Sequence, residues 1–118
     1  MNINLANPYW AGLHVEIGTI IANTLWDTGA SVSLISLDCA RKAGLTIEAA
    51  HRPMKLMGIA ANTITCDRKV VTNVRLQDGF PRVLDAYVVE TNPPADLLLG
   101  MDFIKRHKLM FLSHRHWI

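Results

Sequence analysis

The stretch Leu25-Trp26-Asp27-Thr28-Gly29-Ala30-Ser31 decides how the 118-residue chain is read. It follows Ile20-Ile21-Ala22-Asn23-Thr24, so Asp27 stands at the end of a largely apolar strand. A carboxylate in that position loses hydration unless something bonds it. Thr28 brings a small hydroxyl that can bond a neighbouring backbone, and Gly29 permits a tight turn and close backbone approach. The local chemistry is a carboxylate carried on a sharp turn, within reach of backbone N–H groups. An ordinary strand-end Asp in a turn would use the same three residues. The triplet by itself leaves both readings open.

Upstream, residues 13–17 alternate apolar and polar, Gly18-Thr19 makes a turn, and 20–26 returns as the second strand of a hairpin. Downstream, 32–35 reads as a short strand. Residues 37–43 then carry Leu37, Ala40 and Ala43 at helical spacing, with Gly44 where a helix C-cap falls. Residues 54–66 centre on Gly58-Ile59-Ala60-Ala61-Asn62, an apolar hairpin tip. Residues 68–76 alternate as a strand, Gln77-Asp78-Gly79 turns it, and 83–89 pairs back. Asn92-Pro93-Pro94 breaks the ladder because proline has no N–H to donate. Leu97-Leu98-Leu99 is a short apolar strand, 102–107 a short helix and 109–112 a last strand. Short strands with regular turn signals and little helix predict an all-β fold, a closed barrel or a sandwich.

The bulk composition narrows the function classes. With 50% hydrophobic and 19% charged residues the chain is globular, and its length fits one domain with a core that needs no disulfides. A formal net charge of +2 with partly scattered basic residues argues against nucleic acid as a partner. The cluster Lys105-Arg106-His107-Lys108 and the tail His114-Arg115-His116 read as a solvated helix end and terminus. No apolar run approaches the roughly 20 residues that span a bilayer, so no membrane is expected. Met1-Asn2-Ile3-Asn4 lacks the basic region and apolar core of a secretory signal. Cys39 and Cys66 have no disulfide framework around them. They are expected as buried, free thiols of a reducing, cytoplasmic compartment. A chain this short also fits excision from a larger polyprotein.

Other candidates for chemistry are weaker. His107, His114 and His116 do not stand at zinc spacing with the cysteines, so neither metal nor cofactor is expected. Ser31, Ser33 and Ser36 lack a nucleophile-elbow motif. Asp102 opens the last helix and is expected as its N-cap.

A second feature changes the weight of Asp27. Leu97-Leu98-Leu99-Gly100 begins 70 residues after the triplet's Asp (27 to 97) and again runs from an apolar strand through glycine into a helix. With Leu25-Trp26-Asp27-Thr28-Gly29-Ala30-Ser31, Met57-Gly58-Ile59 and Leu98-Leu99-Gly100-Met101-Asp102, the chain resembles the retropepsin family over residues 15–112. That family comprises retroviral and retrotransposon proteases and the protease-like domain of DNA-damage-inducible (Ddi) proteins. The stretch 98–107 is most similar to the Ddi and long-terminal-repeat retrotransposon type. The resemblance implies a closed retropepsin-like barrel with short helices, a single-domain subunit of a two-fold symmetric aspartic protease. The tails, 1–12 and 113–118, are left unplaced.

The resemblance also implies a mechanism and its residues. Asp27 and Asp27 of a second subunit would share a proton and activate one water against a peptide carbonyl. Two carboxylates about 3 Å apart cannot both ionise readily, which divides the acid and base roles between them. Thr28 would bond across the dimer axis and Gly29 would leave room for substrate backbone. A flap over 55–65 would close on an extended polypeptide substrate, with Met57, Gly58, Ile59, Ala60 and Ile64 contacting it or packing the flap. Ala30, Ser31 and Val32 would line the cleft, with apolar pockets near Val32, Leu34, Ile59 and Leu84. Leu98, Leu99 and Gly100 would form a structural motif of the family. The chain departs from many viral members at Ser31 and Met101, where they carry an acid and an arginine as an ion pair. The rival reading is a catalytically silent dimerisation or peptide-binding module on the same fold.

Overall fold

In the computed structural model the described residues are 14–57, 63–90, 95–109, 111–113 and 116–117. Strands β1 (His14–Ile17) and β2 (Ile20–Trp26) form a hairpin in which Val15 and Ile17 point inward and Glu16 outward. The turn between them places Gly18 at φ +55°, and a Cβ there would lie 2.1 Å from the Ala43 carbonyl oxygen. Only glycine meets both demands. Next come β3 (Ser33–Ser36) and α1 (Leu37–Lys42). The Ser36 hydroxyl caps the helix by accepting the Cys39 N–H at 3.0 Å. Gly44, at φ +73°, ends it by donating to the Arg41 carbonyl.

The long strands β4 (Glu48–Met57) and β5 (Thr63–Arg75) form an antiparallel arm, and β6 (Pro81–Val89) pairs with the second half of β5. Then β7 (Leu97–Leu99) leads into α2 (Met101–Arg106). The sheet order is β1-β2-β7-β3-β6-β5-β4, and pairing of β1 with β5 through Glu16↔Arg75 and Ile17↔Val74 closes six of these strands into a barrel. A separate ribbon joins β8 (Phe111–Ser113) to β9 (His116–Trp117).

The barrel interior holds Val15, Ile17, Val70, Val74, Leu84, Leu97 and Leu99, all at 1% exposure or less. A second apolar cluster, Leu25, Ala30, Leu34, Cys66, Val89 and Leu98, lies towards the β4–β5 arm. Alternation along β7 feeds both: Leu97 and Leu99 face one cluster and Leu98 the other.

Three expectations need correction. β4 begins at Glu48, well before the expected strand. Its pairing with β5 shifts register between Ala49 and Met54, where Pro53 removes a donor from this edge strand. Leu109 is buried just after the turn that follows α2, and the strand expected over 109–112 is β8, which starts at Phe111. Asp102 is not the N-cap of α2, since Gly100 occupies that place and the Asp102 carboxylate turns elsewhere.

Candidate active site

Parallel pairing sets β2 beside β7 with Thr24↔Leu97, Leu25↔Leu98 and Trp26↔Leu99 in register. The two apolar strands therefore end side by side, and Asp27 continues the ladder by donating its N–H to the Leu99 carbonyl at 3.0 Å. The chain then folds back, with Ala30 N–H bonded to the Asp27 carbonyl at 3.3 Å. The Asp27 carboxylate is buried at 9% exposure. Its Oδ1 accepts the Gly29 N–H at 2.8 Å, while its Oδ2 is buried and has no hydrogen-bond partner among the described residues. Thr28 and Gly29, the next two residues, are exposed.

The turn after β7 is stitched to the Asp27 turn. Met101 N–H donates to the Ala30 carbonyl at 2.8 Å, and Asp102 N–H to the Ser31 carbonyl at 3.2 Å. Gly100 sits so close beneath that a Cβ would lie 2.4 Å from the Val32 carbonyl oxygen. The wholly buried Ser33 hydroxyl accepts the Gly100 N–H at 3.0 Å and donates to Asp102 Oδ1 at 2.7 Å. Asp102 Oδ2 accepts the Ser33 N–H at 3.1 Å. Local sequence reading missed Ser33 because its partner is 69 residues away.

The expected site residues divide into groups. Asp27, Thr28, Gly29, Ala30, Ser31 and Val32 share one turn with Leu98, Leu99 and Gly100 directly beside it. Leu34 and Ile64 meet in the second apolar cluster, where Ile64 pairs with Leu56 near the far end of the β4–β5 arm. The described part of that arm ends at the pair Met57↔Thr63. Gly58, Ile59 and Ala60 lie outside the described residues. Leu84 is misplaced in the sequence reading: it is fully enclosed in the barrel core and offers no surface to a cleft. A cleft of about 300 Å³ instead opens beside Val32, between Met54 of the arm, Tyr87 of β6 and Phe103 of α2. Its edge reaches Val32 and not Asp27.

Cys66 belongs to the cluster beside the site, and its thiol is held above the usual range by burial and, secondarily, by the charge of Asp67. Both cysteines are free and buried. Among the described residues no three His, Cys, Asp or Glu side chains are grouped as a metal site would require. No helix among them is long and apolar enough to cross a membrane.

Comparison with known proteins agrees with this geometry. The family model described as gag-polyprotein putative aspartyl protease matches residues 13–106. The crystal structure of the retroviral protease-like domain of Ddi1 from Leishmania major superposes with a TM-score of 0.68 at 21% identity, over 90% of this chain and 84% of that one. No match to the chain is found among curated proteins. With a closed barrel of the retropepsin type and a family match over most of its length, the chain belongs to the gag-polyprotein putative aspartyl protease family.

Proposed function

We propose that the chain is an aspartic endopeptidase whose active site is completed by a second copy of itself. The observation that supports this most directly is the Asp27 carboxylate. One oxygen is seated on the Gly29 N–H, and the other is buried without a partner among the described residues. A buried carboxylate oxygen is costly to leave unbonded, and a group supplied by a second copy would meet that need. A two-fold axis beside the exposed Thr28 and Gly29 would bring up a second Asp27, and two-fold dimers are the commonest oligomers.

In such a pair one proton is shared and the two apparent pKa values belong to the dyad. A water between the carboxylates adds to the substrate's carbonyl carbon while its proton passes to the ionised carboxylate. The proton of the other carboxylate moves to the carbonyl oxygen. Collapse of the tetrahedral adduct returns a proton to the amide nitrogen, and the C–N bond breaks. The substrate lies extended, held by backbone bonds, with apolar side chains towards Val32, Leu34 and the flap. Thr28 locks the two subunits together.

The test compares wild type with Asp27→Asn on unstructured peptides across a pH series from about 4 to 7, since cleavage needs the dyad to hold one proton. Wild type should cleave and be blocked by a statine-type transition-state mimic, and Asp27→Asn should not cleave. Cleavage that survives in Asp27→Asn refutes the assignment. Peptide binding without cleavage by the wild type would instead favour a silent module on the same fold.

A further inference from the structure

We propose that Ser33 and Asp102 are positioning residues for Asp27, acting as a clamp between the turn that follows Asp27 and the start of α2. The inference rests on the endopeptidase reading for its activity arm and on geometry alone for its second arm.

The clamp joins two turns that are distant in sequence. Asp27 hangs by its N–H from the Leu99 carbonyl. The next peptide N–H, that of Gly100, is tied to the Ser33 hydroxyl, and that hydroxyl donates to Asp102 Oδ1. Asp102 Oδ2 takes the Ser33 N–H. Oδ1 also accepts the Phe103 N–H at 2.7 Å. The two oxygens of Asp102 thus answer three groups, the Ser33 N–H, the Ser33 hydroxyl and the Phe103 N–H. The clamp spans the chain that leaves Asp27: the carbonyls of residues 30 and 31 accept the N–H groups of Met101 and Asp102, and Ser33 closes the loop. With Gly100 packed against the Val32 and Ala30 carbonyls, the segment cannot shift relative to β7 without breaking these bonds together. Because β7 carries the Leu99 carbonyl that fixes Asp27, a loosened clamp changes the aim of the carboxylate.

The chemistry separates this role from general packing. Asp102→Asn keeps shape and volume, but either orientation of its amide sets an NH₂ against a donor from Ser33 or Phe103. It should behave like Asp102→Ala. Ser33→Thr keeps the hydroxyl and should restore what Ser33→Ala loses.

Two measurements test the clamp. In steady-state kinetics at a temperature where every variant is folded, with competent sites counted by a tight transition-state mimic, Ser33→Ala and Asp102→Asn should lower kcat by about 10- to 100-fold and leave KM within about twofold. Ser33→Thr should recover most of kcat. Values of kcat within twofold of wild type for both Ser33→Ala and Asp102→Asn would overturn the proposal. In amide hydrogen exchange, which needs no activity, Ser33→Ala should speed exchange at Asp27, Met101 and Asp102 by about tenfold or more, while Val70 and Leu84 in the barrel stay as in wild type. A uniform increase across the chain, or none, overturns it. A wild type that cleaves nothing removes the endopeptidase reading and leaves the exchange experiment to decide the clamp.

Discussion

The Tyr87 hydroxyl on β6 reaches across β5 to donate to the Arg52 carbonyl on β4 at 3.0 Å. It meets β4 where the ladder with β5 shifts register, between Ala49 and Met54. An edge strand with a break in its pairing is thus pinned from a strand it does not border. Tyr87→Phe removes the pin and keeps the ring. The cost to global stability should be small, about 0.5–1.5 kcal/mol for one exposed hydrogen bond. Local loosening should be larger than that: amide exchange and protease nicking should rise in β4 and leave β6 unchanged. Equal protection of β4 in both proteins would show that the pin carries no load.

Gly100 and Gly44 should respond very differently to alanine. A Cβ on Gly100 meets backbone atoms of Val32 at 2.4 and 2.7 Å and the Ala30 carbonyl oxygen at 2.9 Å, and none of these can rotate aside. A Cβ on Gly44 meets nothing within 4 Å and suffers only from its φ of +73°. Gly44→Ala should cost about 1 kcal/mol. Gly100→Ala should cost about 3 kcal/mol or leave the chain unfolded, with a melting temperature lower by about 10 °C. Thermal denaturation of both variants gives the comparison, and an equal loss would contradict the packing around Gly100.

If the second carboxylate comes from a second chain, specific activity must fall on dilution. Thr28, exposed beside the buried Asp27, should set the concentration at which it falls. Thr28→Ala should raise the concentration for half-maximal specific activity by about tenfold, as expected for the loss of about 1.4 kcal/mol at a dimer interface. Thr28→Ser should remain close to wild type. Activity per chain that stays constant into the low nanomolar range would contradict a shared site.

Cys39 gives a pH dependence. Its thiol, 2% exposed, is pushed up from 9.0 to about 11, by burial first and then by the charges of Asp96 and Asp38, with Lys42 opposing. Between those values the folded chain keeps a proton that the unfolded chain releases. The stabilisation is therefore whole below pH 9 and is lost as pH rises through the folded value. The loss should be about 2 kcal/mol. Urea denaturation of wild type and Cys39→Ala at about pH 8 and 10.5 checks this, since the other alkaline ionisations cancel in the comparison. The stability difference between the two proteins should shrink at the higher pH. A difference that stays constant would mean that Cys39 ionises as freely folded as unfolded.

Much of this architecture is legible in local pattern. The β1–β2 hairpin, the α1 helix with Gly44 at its end, and β7 stand within a residue or so of where alternation, helical spacing and turn residues place them. The reason is that each answers to neighbours in sequence. Parts that answer to distant neighbours were not legible. Residues 48–53 form a strand with neither alternation nor β-branched residues, because pairing with 68 and 69 holds them there. Leu84 looks like any apolar strand residue, and only barrel closure decides that it faces inward. Asp102 has the position of a first-turn acid, yet its carboxylate answers to Ser33 on another strand. At the site, the triplet around Asp27 and the leucine run before Gly100 were both readable as motifs. Their parallel adjacency, and the stitch from Ser33 to Asp102, were not.

The seat of Asp27 also sets an order of events in time. A ribosome delivers Asp27 early and the Leu99 carbonyl that holds it only near the close of the domain. Parallel pairing of β2 with β7 must wait for that late arrival, and long-range pairings of this kind form slowly. Every nascent or truncated chain that stops short of β7 therefore carries the acid without its support. The fold itself delays the appearance of a correctly aimed carboxylate until synthesis of the barrel is complete.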